Sequence, residues 1–280
     1  MKTILLTGGT SGIGLESAVD LAKSGARVVL VGRDAKKTAD KVEEVKRRSG
    51  ASNVESLLCD FGSQKSIRAL ADAYRAKYDR LDVLVNNAGS VFDKRTTTED
   101  GIEATFAVNH LGPFLLTNLL LDLLVKSAPA RIVNVSSRAH YRSTIDFENL
   151  GYENGGYGIM AAYGRSKLGN VLFTRELSKR LEGKGVTVNA LHPGAVATNI
   201  WAGAPSWAKP ALALLKLFMR TPEQGGQTIT HLAIGADVEG KTGLYFDEHE
   251  QKTASREARD DSVAQRLWAK SLELTHLPSS

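Results

Sequence analysis

The chain has 280 residues, of which 42% are hydrophobic and 24% are charged, the composition of an ordinary globular protein. Its net charge of +5 comes from basic residues that alternate with acidic ones, as in 40–48 and 252–261, which indicates solvated helix faces and argues against a nucleic-acid partner. The single cysteine, Cys59, excludes an internal disulfide framework, and no apolar run approaches the length of a membrane span, so a soluble, cytoplasmic protein is expected.

Short β-branched runs alternate with helix-length segments along the chain. Near-continuous apolar runs of strand length are typical of strands buried on both faces, as in a parallel sheet. The alternation predicts an α/β fold: one Rossmann-type domain over residues 1–280, a doubly wound parallel sheet with helices on both faces. Strands are predicted at 3–8, 27–32, 53–60, 81–89, 131–137, 186–194 and 243–246. Helices are predicted at 14–24, 36–48, 64–78, 100–126, 161–182 and 222–235, with a frayed tail at 272–280.

A glycine-rich loop follows the first predicted strand in the sequence LLTGGTSGIG. Gly8, Gly12 and Gly14 lie between that strand and the first helix, where glycine lets backbone N–H groups approach a pyrophosphate at a helix N-terminus. The spacing is G-x-x-x-G-x-G rather than the common G-x-G-x-x-G, and a simple tight turn is the alternative interpretation. The strand, loop, helix and second strand together favour a dinucleotide-binding loop.

The second predicted strand ends in a basic residue where many related folds have an acid. Arg33 follows Gly32 at the position from which NAD-binding folds usually hold the ribose 2′-hydroxyl with a carboxylate. A guanidinium can instead pair with a 2′-phosphate, and Asp34, one residue later, suits the cap of the next helix. The pattern favours NADP(H) over NAD, with an ordinary solvated arginine as the alternative.

A tyrosine and a lysine lie one helical turn apart in AAYGRSKLGN, so Tyr163 and Lys167 share one helix face. Ser137 ends the fifth predicted strand, at the edge where open α/β sheets bind ligands. A free tyrosine, with a pKa of about 10, gives up its proton reluctantly, and a neighbouring ammonium is expected to lower that pKa. The trio fits carbonyl reduction, with Tyr163 as general acid/base and Ser137 holding the carbonyl oxygen.

An ordered set of motifs resembles the short-chain dehydrogenase/reductase family over nearly the whole chain. The set comprises TGxxxGxG (7–14), Asp60, NNAG (86–89), Asn109, Ser137, the YxxxK pair (163–167) and PG (193–194). Longer stretches, such as VNHLGPFLLTNLLLDLL (108–124) and YGRSKLGNVLF (163–173), resemble its retinol-dehydrogenase-like branch. Pro113 departs from that branch, which often has His there, and MKTILLTGG leads straight into the first strand without the membrane-anchoring segment of many members.

The resemblance implies site residues and a partner. It gives catalytic roles to Asn109, Ser137, Tyr163 and Lys167, with Asn109 organising a water-linked proton relay and Lys167 also binding the nicotinamide ribose. It places Asp60 at the adenine and Thr198 at the carboxamide. It also suggests self-association through the helices at 100–126 and 161–182. NADP(H) contacts are expected from Gly8, Thr10, Ser11, Gly12, Ile13, Gly14, Arg33, Asp60, Phe61, Asn87, Ala88, Gly89, Tyr163, Lys167, Pro193, Gly194, Val196 and Thr198.

Residues 195–221 follow the last cofactor contact and are expected to form an apolar lid, with an ordinary packed helix as the alternative. Such a lid suits a lipophilic carbonyl or alcohol: an aldehyde, a ketone, a retinoid or a steroid. The predicted function is NADP(H)-dependent hydride transfer, and a non-catalytic NADP(H)-binding regulator or scaffold is the alternative. A nucleotide-sugar epimerase would share the YxxxK pair but usually has a TGxxGxxG loop. No cluster has metal-ligand spacing, so no metal is expected.

Overall fold

A computed structural model describes residues 1–196 and 219–278. The strands in these residues are β1 (Thr3–Thr7), β2 (Arg27–Gly32), β3 (Val54–Leu58), β4 (Val83–Asn86), β5 (Ala130–Val135), β6 (Val186–His192), β7 (Tyr245–Asp247) and β8 (Glu250–Lys252). They form one sheet in the order β3-β2-β1-β4-β5-β6-β7-β8, in which β1 to β7 are parallel and β8 is antiparallel to β7. The predicted doubly wound parallel sheet is confirmed, whereas β8, a short exposed EQK segment, was not predicted because it has no apolar alternation.

Helices cover both faces of the sheet, and the alternation of side chains along the strands explains why. In β1, Leu5 joins an apolar cluster with the third, fifth and seventh helices, while Ile4 and Leu6 join another with the first, second and eighth. Both clusters are fully buried, as parallel strands require. The helices are α1 (Gly12–Lys23), α2 (Ala35–Ser49), α3 (Gln64–Lys77), α4 (Ala104–Phe106), α5 (Gly112–Leu119), α6 (Leu121–Lys126), α7 (Ile159–Arg180), α8 (Pro222–Ile234) and α9 (Asp261–Leu274).

The helix predicted at 100–126 begins later and is interrupted. Glu103 precedes α4, and its carboxylate accepts hydrogen bonds from the N–H groups of Thr105 and Phe106, so the chain before it is not helical. A π-helical segment at Ala107–Leu111 follows, and α5 then begins with Pro113 in its first turn. Such π segments are frequent at functional sites, and this one contains Asn109.

The prediction of a frayed tail from residue 272 is wrong for residues 272–275. These residues form the last turn of α9 and its C-cap. Leu272 and Thr275 are buried, and the Thr275 carbonyl accepts a hydrogen bond from Arg68 at 2.7 Å. The Leu274 carbonyl likewise accepts one from Gln64 at 2.8 Å. The C-terminal end is thus fastened to the N-terminal turn of α3, a long-range contact that the local sequence does not signal.

The same helix covers the surface expected to mediate self-association. Trp268 of α9 packs against Phe114 of α5 and Phe173 of α7, with ring centroids 4.9 and 5.9 Å apart. The Arg180 guanidinium lies 4.3 Å from the Trp268 ring, and Arg175 pairs with Asp261 at 2.6 Å. The apolar faces of α5 and α7 are therefore occupied by the chain's own C-terminal helix.

Candidate active site

A cleft of about 1440 Å³ opens at the carboxyl ends of the parallel strands, where the sheet order predicts a ligand site. It runs from the glycine loop after β1, past the tips of β2 and β3, to the ends of β5 and β6. Gly14 and Asn109 lie behind its wall, and Thr198 falls outside the described residues, as does most of the expected lid. The predicted residues that line it are Gly8, Thr10, Ser11, Gly12, Ile13, Arg33, Asp60, Phe61, Asn87, Ala88, Gly89, Ser137, Tyr163, Lys167, Pro193, Gly194 and Val196.

The glycine loop is packed so closely that side chains would not fit. Gly8 has φ +66°, and a Cβ there would lie 2.9 Å from the Ala88 Cα atom. A Cβ on Gly14 would lie 2.5 Å from Asn87 Nδ2, which donates hydrogen bonds to the carbonyls of Thr7 and Gly8 at 2.9 and 3.1 Å. The loop after β1 and the NNAG segment after β4 thus hold each other in place.

The N-terminus of α1 faces this loop without a side-chain cap. Ser11 occupies the N-cap position, but its side chain makes no capping hydrogen bond. Ser11, Gly12 and Ile13 all line the cleft, so the first N–H groups of the helix are directed toward it. Free N–H groups and the positive end of a helix dipole form a site for a phosphate group.

Two basic side chains lie at the end of the cleft beside the tip of β2. Arg33 and Lys37 line the cleft, both are exposed, and within residues 1–196 and 219–278 neither side chain makes an ion pair. Asp34 caps α2 by accepting a hydrogen bond from the Lys37 N–H at 2.7 Å, as predicted. The Asp60 carboxylate accepts one from Gly62 at 2.9 Å. Sequence reasoning missed Lys37, although its place in the first turn of the helix that follows Arg33 could have indicated it.

Ser137 and Tyr163 meet at the other end of the cleft. Ser137 follows β5 and begins a 3₁₀ helix at Arg138–Arg142, and its hydroxyl oxygen accepts a hydrogen bond from the Ala139 N–H at 3.2 Å. Burial raises the pKa of Tyr163, while a side-chain hydrogen bond with Ser137 acts in the opposite direction. The sequence predicted that Lys167 would lower this pKa. That prediction is wrong for this structure, because burial of the phenol raises its pKa.

Lys167 is buried on the same face of α7, with its Nζ atom 5.6 Å from the centre of the Tyr163 ring. It donates a hydrogen bond to the Val135 carbonyl at 3.0 Å. Burial lowers the pKa of this lysine to about 8, because a low-dielectric surrounding disfavours the charged ammonium. Gly89 lies close by: a Cβ there would be in ordinary contact with the Nζ atom at 3.5 Å and in tight contact with Asn109 Oδ1 at 3.2 Å.

Asn109 acts on the site through backbone segments. Its amide oxygen accepts a hydrogen bond from the Ser90 N–H at 2.7 Å, and its Nδ2 donates to the Ser90 carbonyl at 2.9 Å. The same Nδ2 donates to the Ser166 hydroxyl at 3.0 Å, which donates in turn to the Tyr163 carbonyl at 2.7 Å. The side chain therefore joins the loop after NNAG to the turn of α7 that carries Tyr163.

Asn170 is a further residue that sequence reasoning missed. Its Nδ2 donates at 3.2 Å to the Val135 carbonyl, the same acceptor that Lys167 uses. Its Oδ1 lies 3.4 Å from Nδ1 of the buried His110, whose Nε2 is 3.1 Å from the Ser271 hydroxyl of α9. Asn170 lies three residues after Lys167 on one helix face, a spacing that could have revealed it.

A family model described as short chain dehydrogenase matches residues 2–209, and the chain belongs to this family. Within the family it belongs to the retinol-dehydrogenase-like branch. It is 43% identical to human retinol dehydrogenase 13 over 281 residues, covering 99% of this chain and 85% of that protein. It is 44% identical to mouse retinol dehydrogenase 14, covering 95% and 84% of the two chains.

Solved structures agree with this placement. A protein of Mycobacterium paratuberculosis superimposes with a TM-score of 0.81 at 31% identity, covering 99% of this chain and 94% of that one. The Pseudomonas aeruginosa RhlG/NADP active-site complex superimposes with a TM-score of 0.71 at 27% identity, covering 94% and 96%.

Two other features of the described residues bear on the kind of site. No helix within 1–196 and 219–278 combines the length and apolar character that crossing a bilayer requires. In those same ranges, no group of three or more His, Cys, Asp and Glu side chains is arranged to hold a metal ion.

Proposed function

We propose that the protein is an NADP(H)-dependent oxidoreductase that transfers a hydride between nicotinamide and a lipophilic carbonyl or alcohol. The observation that carries this proposal is the meeting of Ser137, Tyr163 and Lys167 at one end of a cleft whose other end is the glycine loop. The curated relatives, named as retinol dehydrogenases, support an alcohol or carbonyl as substrate.

The residues that line the cleft support NADP(H) as the cofactor. The uncapped N-terminus of α1 and the close-packed Gly8 and Gly14 provide the backbone cradle that a pyrophosphate needs. Arg33 and Lys37 supply two cations at the adenine end, where a 2′-phosphate would carry negative charge. The family likeness to the NADP complex of RhlG supports the same cofactor class.

Three residues of the chain would assist the hydride transfer by moving a proton and stabilising charge. The bound cofactor supplies or accepts the hydride. Tyr163 would give its phenolic proton to the carbonyl oxygen as negative charge develops there, and take it back in the reverse direction. Ser137 would donate a hydrogen bond to that oxygen, because its own oxygen accepts one from the Ala139 N–H, which orients the hydroxyl. The Lys167 ammonium stabilises the phenolate.

The walls around Tyr163 favour an apolar substrate. Phe92, Tyr141, Met160 and Met219 line this part of the cleft, and Tyr141 and Met160 are exposed. The two ends of the expected lid lie beside it, because Val196 pairs with Arg220 and the Arg220 N–H donates to the Ala195 carbonyl at 2.8 Å. Aldehydes, ketones and alcohols with long or polycyclic apolar groups match these walls.

The cofactor choice is tested by kinetics of three variants with NADPH and NADH. Arg33→Ala should raise the KM for NADPH by about 10-fold or more, since a charge-assisted bond to a phosphate is lost, and leave the KM for NADH nearly unchanged. Lys37→Ala should shift the same ratio in the same direction. Lys36→Ala is the matched control, because Lys36 is exposed in the same turn but does not line the cleft. Equal effects on both cofactors would contradict 2′-phosphate recognition.

A further inference from the structure

His140 lies three residues beyond Ser137, in the short 3₁₀ helix, and is completely buried. Its Nδ1 atom lies 2.7 Å from the Ser137 carbonyl oxygen, and its Nε2 atom lies 3.2 Å from the Ser255 backbone nitrogen. A carbonyl can only accept and a backbone N–H can only donate. The ring therefore carries its proton on Nδ1, and both of its nitrogens are in use.

Two aromatic side chains pack against the His140 ring and restrict its rotation. The Tyr141 and Tyr245 rings lie with centroids 4.1 and 4.6 Å from the His140 ring. Burial lowers the pKa of His140, so the neutral ring that the two hydrogen bonds require is the stable form. The Ser137 carbonyl receives a second bond from the His140 backbone N–H at 3.1 Å, so one residue fixes that carbonyl twice.

The other side of the ring is attached to a segment distant in sequence. Ser255 lies between β8 and α9, and its neighbours also hold the stretch after Ser137. Tyr141 donates its hydroxyl to the Thr253 carbonyl at 2.7 Å, and the Ile145 N–H donates to the Glu257 carboxylate at 2.6 Å. Residues 253–257 thus form a support for the 3₁₀ helix, with His140 as its buried link.

We propose that His140 is a positioning residue, which fixes the Ser137 backbone through its Nδ1–H bond and thereby orients the Ser137 hydroxyl toward Tyr163. The inference rests on the proposed function, in which Ser137 bonds the reacting oxygen. A small rotation of the Ser137 backbone would move its hydroxyl away from the Tyr163 hydroxyl, and errors of this size reduce turnover strongly. The bond from Ser255 keeps the ring proton on Nδ1, because the Ser255 N–H needs a bare Nε2 as its acceptor.

Two polar variants separate the bond to Ser137 from the bond to Ser255. In His140→Asn, the amide nitrogen can replace Nδ1 and donate to the Ser137 carbonyl. In His140→Gln, the longer side chain places its amide near Nε2 and leaves the Ser137 carbonyl without its side-chain donor. We expect kcat with NADPH and a lipophilic aldehyde to stay within about 3-fold of wild type in the Asn variant and to fall about 10- to 100-fold in the Gln variant.

A purely structural role of His140 would not lower kcat in one of these two variants and spare it in the other. Both variants should have the same urea midpoint and the same Kd for NADPH, measured by nucleotide fluorescence, so the loss is confined to kcat. Equal kcat values in the two variants, or a loss explained by a lower urea midpoint, would overturn the proposal.

A separate measurement keeps the inference distinct from the proposed function. If wild-type protein turned over no substrate, the proposed function would fail, and ¹⁵N-histidine NMR of the full chain would still test the role of His140. A proton on Nδ1 with a bare Nε2 supports the bond to Ser137. A proton on Nε2 would overturn it.

Discussion

At the scale of single residues, the site contains two side chains, Lys167 and Tyr163, whose burial disfavours the charged forms that the proposed reaction uses. Lys167 is an ammonium held almost without solvent, and its hydrogen bond to the Val135 carbonyl only partly replaces lost hydration. Burial of Tyr163 likewise favours its neutral form. These costs are typical of active sites, where stability is given up for a required charge or pKa.

Lys167→Met should therefore raise the free energy of unfolding and lower kcat. The folded-state pKa of Lys167 is about 8, below its value of about 10.4 in an unfolded chain, so the folded state binds fewer protons between these pH values. Above this window the lysine is neutral in both states, and as pH falls through it the wild-type protein loses stability. At pH 7 we expect the Met variant to be more stable by roughly 1–3 kcal/mol and its kcat to fall by about 100-fold.

Urea denaturation of both proteins at pH 7, 8, 9 and 10 measures the difference directly, since the other titrating groups are shared. The stability gap should narrow as pH rises toward 10. A gap that is constant with pH, or a less stable Met variant at pH 7, would contradict the buried ammonium.

At the scale of elements, the sequence predicted the strands and loops whose pattern is contained in neighbouring residues. The apolar strands β1, β2, β4, β5 and β6 and the glycine loop were predicted because burial on both faces and tight turns leave their mark on neighbouring residues. The π segment around Asn109 was not, because its geometry depends on contacts with Ser90 and Ser166 far along the chain. Helix α9 was also missed, since its buried side is recognisable only once α5 and α7 are in place.

Trp268→Ala tests how much α9 contributes. The indole is buried against Phe114 and Phe173, and removing it leaves a cavity between three helices. We expect the free energy of unfolding to fall by about 3–5 kcal/mol, measured by urea denaturation. Gln265→Ala, on the exposed side of the same helix, should change it by less than about 0.5 kcal/mol. Similar small effects for both substitutions would show that α9 is not part of the core.

At the scale of the whole molecule, the sheet brings together residues that are distant in sequence. The glycine loop, the NNAG segment, Ser137 and the Tyr163–Lys167 pair follow different strands, and parallel pairing places the carboxyl ends of those strands at one edge. Ser137 was predicted at this edge for that reason, whereas Tyr163 and Lys167 were predicted from their spacing of one helical turn and the family resemblance. Lys37, Asn170 and His140 were not predicted as site residues, because their roles depend on which side chains meet across helices and loops.

The covered faces of α5 and α7 bear on the expected self-association. Self-association through these helices would require α9 to move away, because Trp268 and its neighbours already bury their apolar side chains.

The central claim is that Tyr163 exchanges the proton with the substrate oxygen, and Tyr163→Phe tests it most directly. The variant removes one oxygen and keeps the ring beside Lys167. NADPH oxidation with a panel of long-chain aldehydes and retinal, measured beside the Kd for NADPH, separates chemistry from binding. We predict a kcat lower by about 10²- to 10⁴-fold with the Kd unchanged. Turnover near that of wild type in the folded variant would contradict the account.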